Sequence, residues 1–496
     1  MKKLLSCIAV LAVSCTLISG CFSRAPDNSG APNGGFWFEI PDANTEGGNY
    51  VYDAVKEQDF TSVSDQASSY FSLDRNTASY SLVRNQIERG VEVEAKGVRI
   101  EEMINYFDYG FDEPEDKAVA LTTALSPCPW NEEGKLLSVG LKTAEYNTEY
   151  VNANYVFLID VSGSMSGDSR LGLAKKGLKM LLNELGERDL VSVVTYASGV
   201  DTVLDGGECS AKGKAEIESA ISSLKASGST YGSGGIERAY AVAQKHFITG
   251  GNNRVIIISD GDFNVGMRST DALKEFIQDK AKTNIYLSVI GVGMGNTRDD
   301  LLETLAKSGN GNYAYCDDEK EARKIFIEEL KSNLFTVAKD AKAGVTFTSA
   351  VDKYRLIGYD TKLISEDDFN NEKADAGEIG SSLCVSALYE IILSDSAEGK
   401  LADVEVRYKD VTGEAEKSDS VTRAVNLNDP SSDDLSFISC VAEFGLILRK
   451  SEYRGTASLT AVIERLDALS GYIGDDEHKK EFVTLVGKAS ETKYYL

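Results

Sequence analysis

Three short stretches combine oxygen-bearing side chains at spacings that suit a metal ion. Asp160-Val161-Ser162-Gly163-Ser164 supplies a carboxylate and two hydroxyls on alternate residues. Gly228-Ser229-Thr230 adds another hydroxyl, and Ser259-Asp260-Gly261-Asp262 adds a second carboxylate. None of these stretches contains a Lys or His to neutralise the acids. If Asp160, Ser162, Ser164, Thr230 and Asp260 converge, their donor set is oxygen alone, which selects a hard cation: Mg²⁺, or else Mn²⁺ or Ca²⁺. Hydroxyl ligands are uncharged, so the ion would keep part of its positive charge and attract an outside carboxylate. A DxSxS pattern alone also suits a turn with helix-capping serines. That alternative stands until the loops are shown to meet.

The elements that must position these residues lie between 152 and 335. Tyr155 to Ile159 is a continuous apolar run, the pattern of a strand buried on both faces. Leu171, Ala174, Leu178, Leu181 and Leu185 then recur at helical spacing. Leu190–Tyr196 reads as a second strand and Thr202–Leu204 as a short edge strand. Ile217, Ala220, Ile221 and Leu224 mark one helix; Ile236, Ala239, Tyr240, Ala243 and Phe247 mark the next. Val255–Ile258 is again fully apolar. A helix opened by Thr270 as cap follows, with Asp271 in its first turn. Ile285–Ile290 is a strand, and Thr297-x-x-Asp300 a capping box for the helix that carries Leu301, Leu302 and Leu305. A short strand Tyr313–Tyr315 and a helix Ala322–Leu334 complete the segment. This alternation predicts an α/β fold, a doubly wound and mainly parallel sheet with helices on both faces. Ligands of such sheets bind at the carboxyl ends of the strands, where all three oxygen-rich loops fall.

The flanks read differently. Ala120–Leu125, Leu136–Leu141, Thr346–Ser349, Tyr354–Gly358, Val385–Leu393 and Val404–Tyr408 read as strands on both sides of the α/β segment. A β-sandwich into which the central domain is inserted accounts for them; two separate small β domains are the alternative. Phe437, Val441, Phe444 and Leu446–Leu448, then Leu459, Ile463 and Leu466, predict helices that pack with a helix near Ile100–Phe107. The expected organisation is a signal at 1–20, a tether at 21–70, an N-terminal flanking region at 71–151 (helix plus β strands), the α/β domain at 152–335, a C-terminal β region at 336–430 and a helical region at 431–496.

Lys2 and Lys3 precede an apolar run, Leu4 to Ile18, with the layout of a secretory signal. It closes on Ile18-Ser19-Gly20-Cys21, which resembles a bacterial lipobox; an ordinary signal peptide is the alternative. The resemblance implies lipidation at Cys21 and an extracytoplasmic protein anchored by lipid to the cell membrane or outer membrane. The chain after Cys21 is rich in Ser, Asn, Gly and Asp, as a flexible tether would be. Across 496 residues Lys+Arg is 52 and Asp+Glu is 78, a formal net charge of −26. That argues against nucleic acid, which needs a basic face, and against a polybasic membrane patch. His246 and His478 are the chain's 2 histidines, which excludes a His-rich metal centre. Besides Cys21, the chain after the signal carries Cys128, Cys209, Cys316, Cys384 and Cys440, widely spaced and without a CxxC pair. Buried free thiols are expected.

Asp160, Ser162, Ser164, Thr230 and Asp260 resemble the metal-ion-dependent adhesion site (MIDAS) of von Willebrand factor type A (vWA) domains, and the strand order is similar to that domain throughout. The resemblance implies that Ser162, Ser164 and Thr230 contact the ion directly. Asp160 and Asp260 would act directly or through water, and a partner's acidic group would complete the shell. Leu73–Tyr80, Arg99–Phe107, Tyr354–Tyr359, Asp368–Asn371, Asp375–Gly380 and Ala387–Ile391 resemble YfbK-like bacterial lipoproteins. Where that family often has Gly-His after Glu-Ile-Gly, this chain has Ser381-Ser382, so no histidine role carries over.

Other signals have plainer explanations. Gly291-Val292-Gly293-Met294-Gly295 mimics a dinucleotide loop, but its last glycine comes one residue early and a tight turn is expected. The acidic run Glu366–Glu372 lacks EF-hand spacing and reads as a solvated loop. His246 borders an apolar helix face, and His478 sits in a charged run expected to be exposed. No GxSxG elbow and no positioned base accompany Ser162 or Ser164. The expected function is therefore a binding module, not an enzyme, that adheres to a protein partner through its ion. An envelope hydrolase using the metal, and an assembly scaffold with a vestigial site, are the rival readings.

Overall fold

The computed structural model describes residues 56–73, 75–145, 152–229, 232–261, 270–293, 299–329, 336–374, 376–411 and 417–495. The signal, Cys21, Thr230, Asp262 and Thr297 lie outside the described residues.

Strands β1 (Thr61–Ser62) and β2 (Ser68–Ser72) come first, then helices α1 (Ala78–Glu88) and α2 (Ile100–Ile104) and the hairpin β3 (Val119–Pro127) and β4 (Gly134–Thr143). The α/β domain follows as β5 (Ala153–Asp160), α3 (Leu173–Glu184), β6 (Leu190–Tyr196), β7 (Val200–Glu208), α4 (Ala211–Ser223), α5 (Gly232–Lys245), β8 (Asn252–Ser259), α6 (Thr270–Ala281), β9 (Ile285–Val292), α7 (Asp299–Ser308), β10 (Tyr313–Cys316) and α8 (Glu319–Arg323). After it come β11 (Thr336–Phe347), β12 (Val351–Ile357), β13 (Gly377–Gly380), β14 (Cys384–Leu393), β15 (Lys400–Asp410) and β16 (Lys417–Asn426).

The α/β sheet has the order β10-β9-β8-β5-β6-β7, parallel except for the edge strand β7. All eight residues of β5 are buried, as its apolar run requires. Their alternation divides them between two layers. Tyr155, Phe157 and Ile159 pack with Leu173, Leu178, Ile217 and Phe326. Val156 and Leu158 pack with Ile236, Ala243, Leu273 and Leu302 on the other face. Helix α8 passes at Lys324 into a π-helical stretch ending at Glu329, and residues 330–334 of the expected last helix lie outside the described residues.

The flanking strands form one sandwich. One sheet has the order β1-β12-β14-β4-β3, with β4 and β14 paired antiparallel from Gly134↔Ile392 to Lys142↔Cys384. The other has the order β13-β11-β15-β16, with β2 also pairing β11. Leu121, Leu137 and Val139 of the first share a core with Val345, Val404 and Val406 of the second. Since β4 precedes the α/β domain and β14 follows it, the domain is an insertion and the two-domain alternative falls.

Two expectations about the flanks need correction. Residues 56–70 belong to the folded body rather than the tether, because β1 pairs with β12 and β2, with buried Ser69 and Phe71, pairs with β11. Strand β11 runs Thr336–Phe347 rather than Thr346–Ser349, its hydrophobic alternation broken by register shifts between Lys339 and Lys342 and by Asp340 at positive φ.

Helix Asp433–Arg449 is capped by Ser432, whose hydroxyl accepts from the Leu435 amide, and ends on Lys450 in the left-handed region. It packs on α2 so closely that a Cβ on Gly445 would stand 2.9 Å from Ile100. Phe107 meets Phe437 at 5.1 Å and Phe482 of the last helix at 5.6 Å, as the expected helix packing requires.

Arg84 ties the three parts together. From α1 its guanidinium reaches Asp317 and Glu321 of the α/β domain, Glu321 at 2.8 Å, and Glu481 of the last helix at 2.8 Å, with 4% of its side chain exposed. Removing one partner from a buried charge network leaves the rest uncompensated. Arg84→Ala should therefore destabilise the chain by about 3–5 kcal/mol, read by denaturant unfolding. One guanidinium cannot neutralise three carboxylates, and burial, outweighing Arg84, pushes the Asp317 carboxyl from 3.8 up to about 7. A carboxyl raised on folding contributes stability present below its unfolded value and lost as pH rises to its folded value. Melting temperature should thus fall between about pH 4 and pH 7, and Asp317→Asn should flatten that slope.

Candidate metal centre

Strands β5 and β8 are neighbours, and the chain leaves β5 toward β6 and β8 toward β9, in opposite directions along the sheet. A crevice at the strand ends is the geometric consequence. Register places Asp160 beside Tyr196 of β6, and Ile159 beside Ile258 of β8, so that Ser259 and Asp260 follow alongside.

Asp160 is fully buried, Ser162 1% exposed and Asp260 4% exposed, while Ser164 is half-buried at the rim. Asp160 Oδ1 accepts the Ser162 amide at 2.8 Å, and the Ser259 hydroxyl donates to Asp160 Oδ2 at 3.4 Å. The Ser162 and Ser164 hydroxyls lie 2.9 Å apart. Burial pushes the Asp160 carboxyl up to about 6, against the pull of Ser162's hydrogen bonds and with the Asp260 charge adding to the rise. The Tyr196 phenol beside it on β6 also pulls the Asp160 carboxyl down.

The third loop is held against the first by backbone hydrogen bonds. Ser227 N–H donates to Val161 O at 2.7 Å, and Gly163 N–H donates to Gly228 O at 2.9 Å. Gly228 is at φ +85, and a Cβ there would stand 2.5 Å from the Ser198 hydroxyl, which accepts the Ser229 amide at 3.0 Å. These bonds bring the chain leading to Thr230 to the Asp160 loop. Of the five expected residues, the structure groups Asp160, Ser162, Ser164 and Asp260; Thr230 lies outside the described residues.

Arg170 is the residue sequence reasoning missed. It follows Gly167 on the π-turn Asp168–Gly172, and its Nη1 binds the Ser164 carbonyl and stands 3.6 Å from Asp260 Oδ2. The expectation that no cation neutralises the acids held only within the oxygen-rich stretches themselves. Ser259 was visible in its loop but not weighed as a partner of Asp160, and Tyr196 is found from the pairing of β5 and β6 rather than from any motif.

The donor chemistry fits a hard ion. Two buried carboxylates adjoin two hydroxyls, and a buried charge is costly unless compensated. Among the described residues no group of three or more His, Cys, Asp and Glu gathers as a metal site, so an ion here would depend on serine oxygens.

The remaining candidates are engaged elsewhere. His246 Nε2 meets Asp205 at 2.7 Å. The Asn154 amide binds Ala243 O near the end of α5, which sets that end of the helix beside the start of β5. Asp160 lies at the other end of that strand, roughly 20 Å away at about 3.3 Å per residue. His478 is half-buried rather than exposed, its ring edge-on to Tyr106 with centroids 5.6 Å apart. Gly293 is at φ +86, and Met294 and Gly295 of the expected turn lie outside the described residues. Lys342 donates to the carbonyls of Asp368 and Asn371, at 3.0 and 2.8 Å, in the acidic run. Cys128, Cys209, Cys316, Cys384 and Cys440 are buried and free.

Family models match along most of this body: "von Willebrand factor" over 46–138, "von Willebrand factor type A domain" over 155–262, and "Uncharacterized protein YfbK, C-terminal" over 332–402 and 394–492. The uncharacterized protein YfbK of Escherichia coli (strain K12) is 36% identical over 445 residues, covering 84% of this chain and 77% of that one. This chain belongs to the YfbK-like vWA family. Inter-alpha-trypsin inhibitor heavy chain H3 of Mesocricetus auratus is 24% identical over 272 residues, which is 52% of this chain and 30% of its own length. Among solved structures, a von Willebrand factor type A protein from Catenulispora acidiphila aligns with 18% identity and a TM-score of 0.41, covering 75% of this chain and 90% of its own.

The glycine that fixes the third loop gives a stability test. Gly228→Ala should cost about 1 kcal/mol or more in thermal unfolding, because a side chain is strained at positive φ and collides with Ser198. A substitution without cost would show that the loop does not depend on this turn.

Proposed function

We propose that this YfbK-like vWA protein is an envelope-anchored binding module, in which a divalent ion held by Asp160, Ser162, Ser164, Thr230 and Asp260 takes an acidic side chain of a protein partner. The observation that carries this reading is the burial of Asp160 and Asp260 at the ends of adjacent parallel strands, with the Ser162 and Ser164 hydroxyls 2.9 Å apart at the mouth. Mg²⁺ suits this all-oxygen set, and Mn²⁺ and Ca²⁺ share its donor preference. The ion would supply the local positive centre for an anionic ligand on a chain of net charge −26. In this reading Cys21 carries the lipid, and the chain between it and β1 holds the binding face away from the membrane.

The test is a pull-down from membranes with and without chelator, using wild type and Asp260→Ala. Retention of a partner should be lost in EDTA and weakened by more than about tenfold in the variant, since even outer-shell changes at metal sites cost 10–100-fold. A partner held equally well in EDTA and by Asp160→Ala overturns the reading. Cys21→Ser should move the protein from the membrane to the soluble fraction; if the variant stays with the membrane, the anchor is elsewhere.

A further inference from the structure

We propose that Arg170 sets the ion affinity of the candidate metal centre by competing for Asp260. This inference rests on the metal-binding reading above and concerns the regulation of that same site.

Arg170 is held in place from three directions. Its position on the π-turn after Gly167 (φ +118) turns the side chain back over the Asp160 loop. The guanidinium donates to the Ser164 carbonyl and pairs with Asp260 Oδ2 at 3.6 Å. Its aliphatic stem lies over the turn after β9, where a Cβ on Gly293 would stand 2.4 Å from Arg170 Cγ. The side chain is 26% exposed, whereas that of Asp260 is 3% exposed. A fixed positive charge therefore faces a buried carboxylate from the solvent side.

A cation that enters between Asp160 and Asp260 must share Asp260 with this guanidinium and also meets its like charge. Both effects weaken ion binding, and neither involves the Ser162 and Ser164 hydroxyls. With two carboxylates opposed, among the described residues, by the Arg170 guanidinium, the site holds an ion more loosely than its donor set alone would. An added carboxylate from a partner then restores the missing negative charge, so ion and partner favour each other's binding.

The test is calorimetric titration of the full chain in detergent with Mn²⁺ alone. Arg170→Gln and Arg170→Leu, both neutral, should bind Mn²⁺ about tenfold more tightly than wild type, the order expected for removing a like charge at this range. Arg170→Lys, which keeps the charge, should stay within about threefold of wild type. Asp160→Ala should lose the Mn²⁺ signal, which ties the heat to this site. Thermal melts identify a neutral variant that fails to fold, and the other then decides. If wild type binds Mn²⁺ and the folded neutral variant binds it no more tightly, the role of Arg170 is overturned while the metal centre stands. If wild type and the neutral variants show no binding at all, both fall together.

Discussion

The antiparallel ladder between β4 and β14 is the constraint on which the rest of the structure depends. It joins Gly134–Thr143 to Cys384–Leu393 and so closes a single sheet from chain on either side of the α/β domain. Closure brings the two ends of that domain to one side of the molecule, which is the condition for an inserted domain to be tolerated. The two sheets then share one apolar core. The sandwich serves as a base for the domain, and the crevice that groups Asp160 with Asp260 is built by the domain's own strands.

Charge networks fix the domain on that base. Arg84 joins α1, the end of β10 and the last helix, and Arg99 bridges Glu102 to Glu303 of α7 at 2.8 Å each. Lys324 donates to the Tyr106 carbonyl at 3.0 Å with its ammonium over the Tyr106 ring. These contacts are buried and polar, so they hold orientation as well as adding stability. At the junction, Asp317, Glu321 and Glu481 share the Arg84 guanidinium; at the candidate metal centre, the Arg170 guanidinium is shared by Asp260 and the Ser164 carbonyl. In both places carboxylates are concentrated in low-dielectric surroundings beside a guanidinium.

The α/β domain was legible because its central strands are buried on both faces and read as apolar runs, unbroken in Tyr155–Ile159 and Val255–Ile258. Tyr155–Ile159, Leu190–Tyr196 and Val255–Ile258 all fall within observed strands, and from their order the meeting of Asp160 with Asp260 followed. The sandwich was harder to read. Strand β11 carries Lys339, Asp340 and Lys342 through a bulge, and β16 is an exposed edge, so neither has clean alternation. Residues 61–72 were hidden by their serines, which look like linker composition until Phe71 is seen in the core. Arg170 could not be found from pattern at all. Its approach to Asp260 depends on a π-turn, a glycine at positive φ and a close pass over Gly293, none of which has a periodic signature.

The insertion also governs the order in which the chain can fold. Thr143 at the end of β4 bonds Leu383, a partner 240 positions further along the chain. As the polypeptide emerges amino end first, the β3–β4 hairpin stands finished on one edge and bare on the other while the whole α/β domain is made. Its apolar residues Leu137, Val139 and Leu141 wait for strands that come much later. Such a long-range pairing is slow to form and exposes a sticky edge meanwhile. Early compaction of the inserted domain shortens the effective loop that must be closed, so the segment that carries the site also acts as the clasp that delivers β14 to its neighbour.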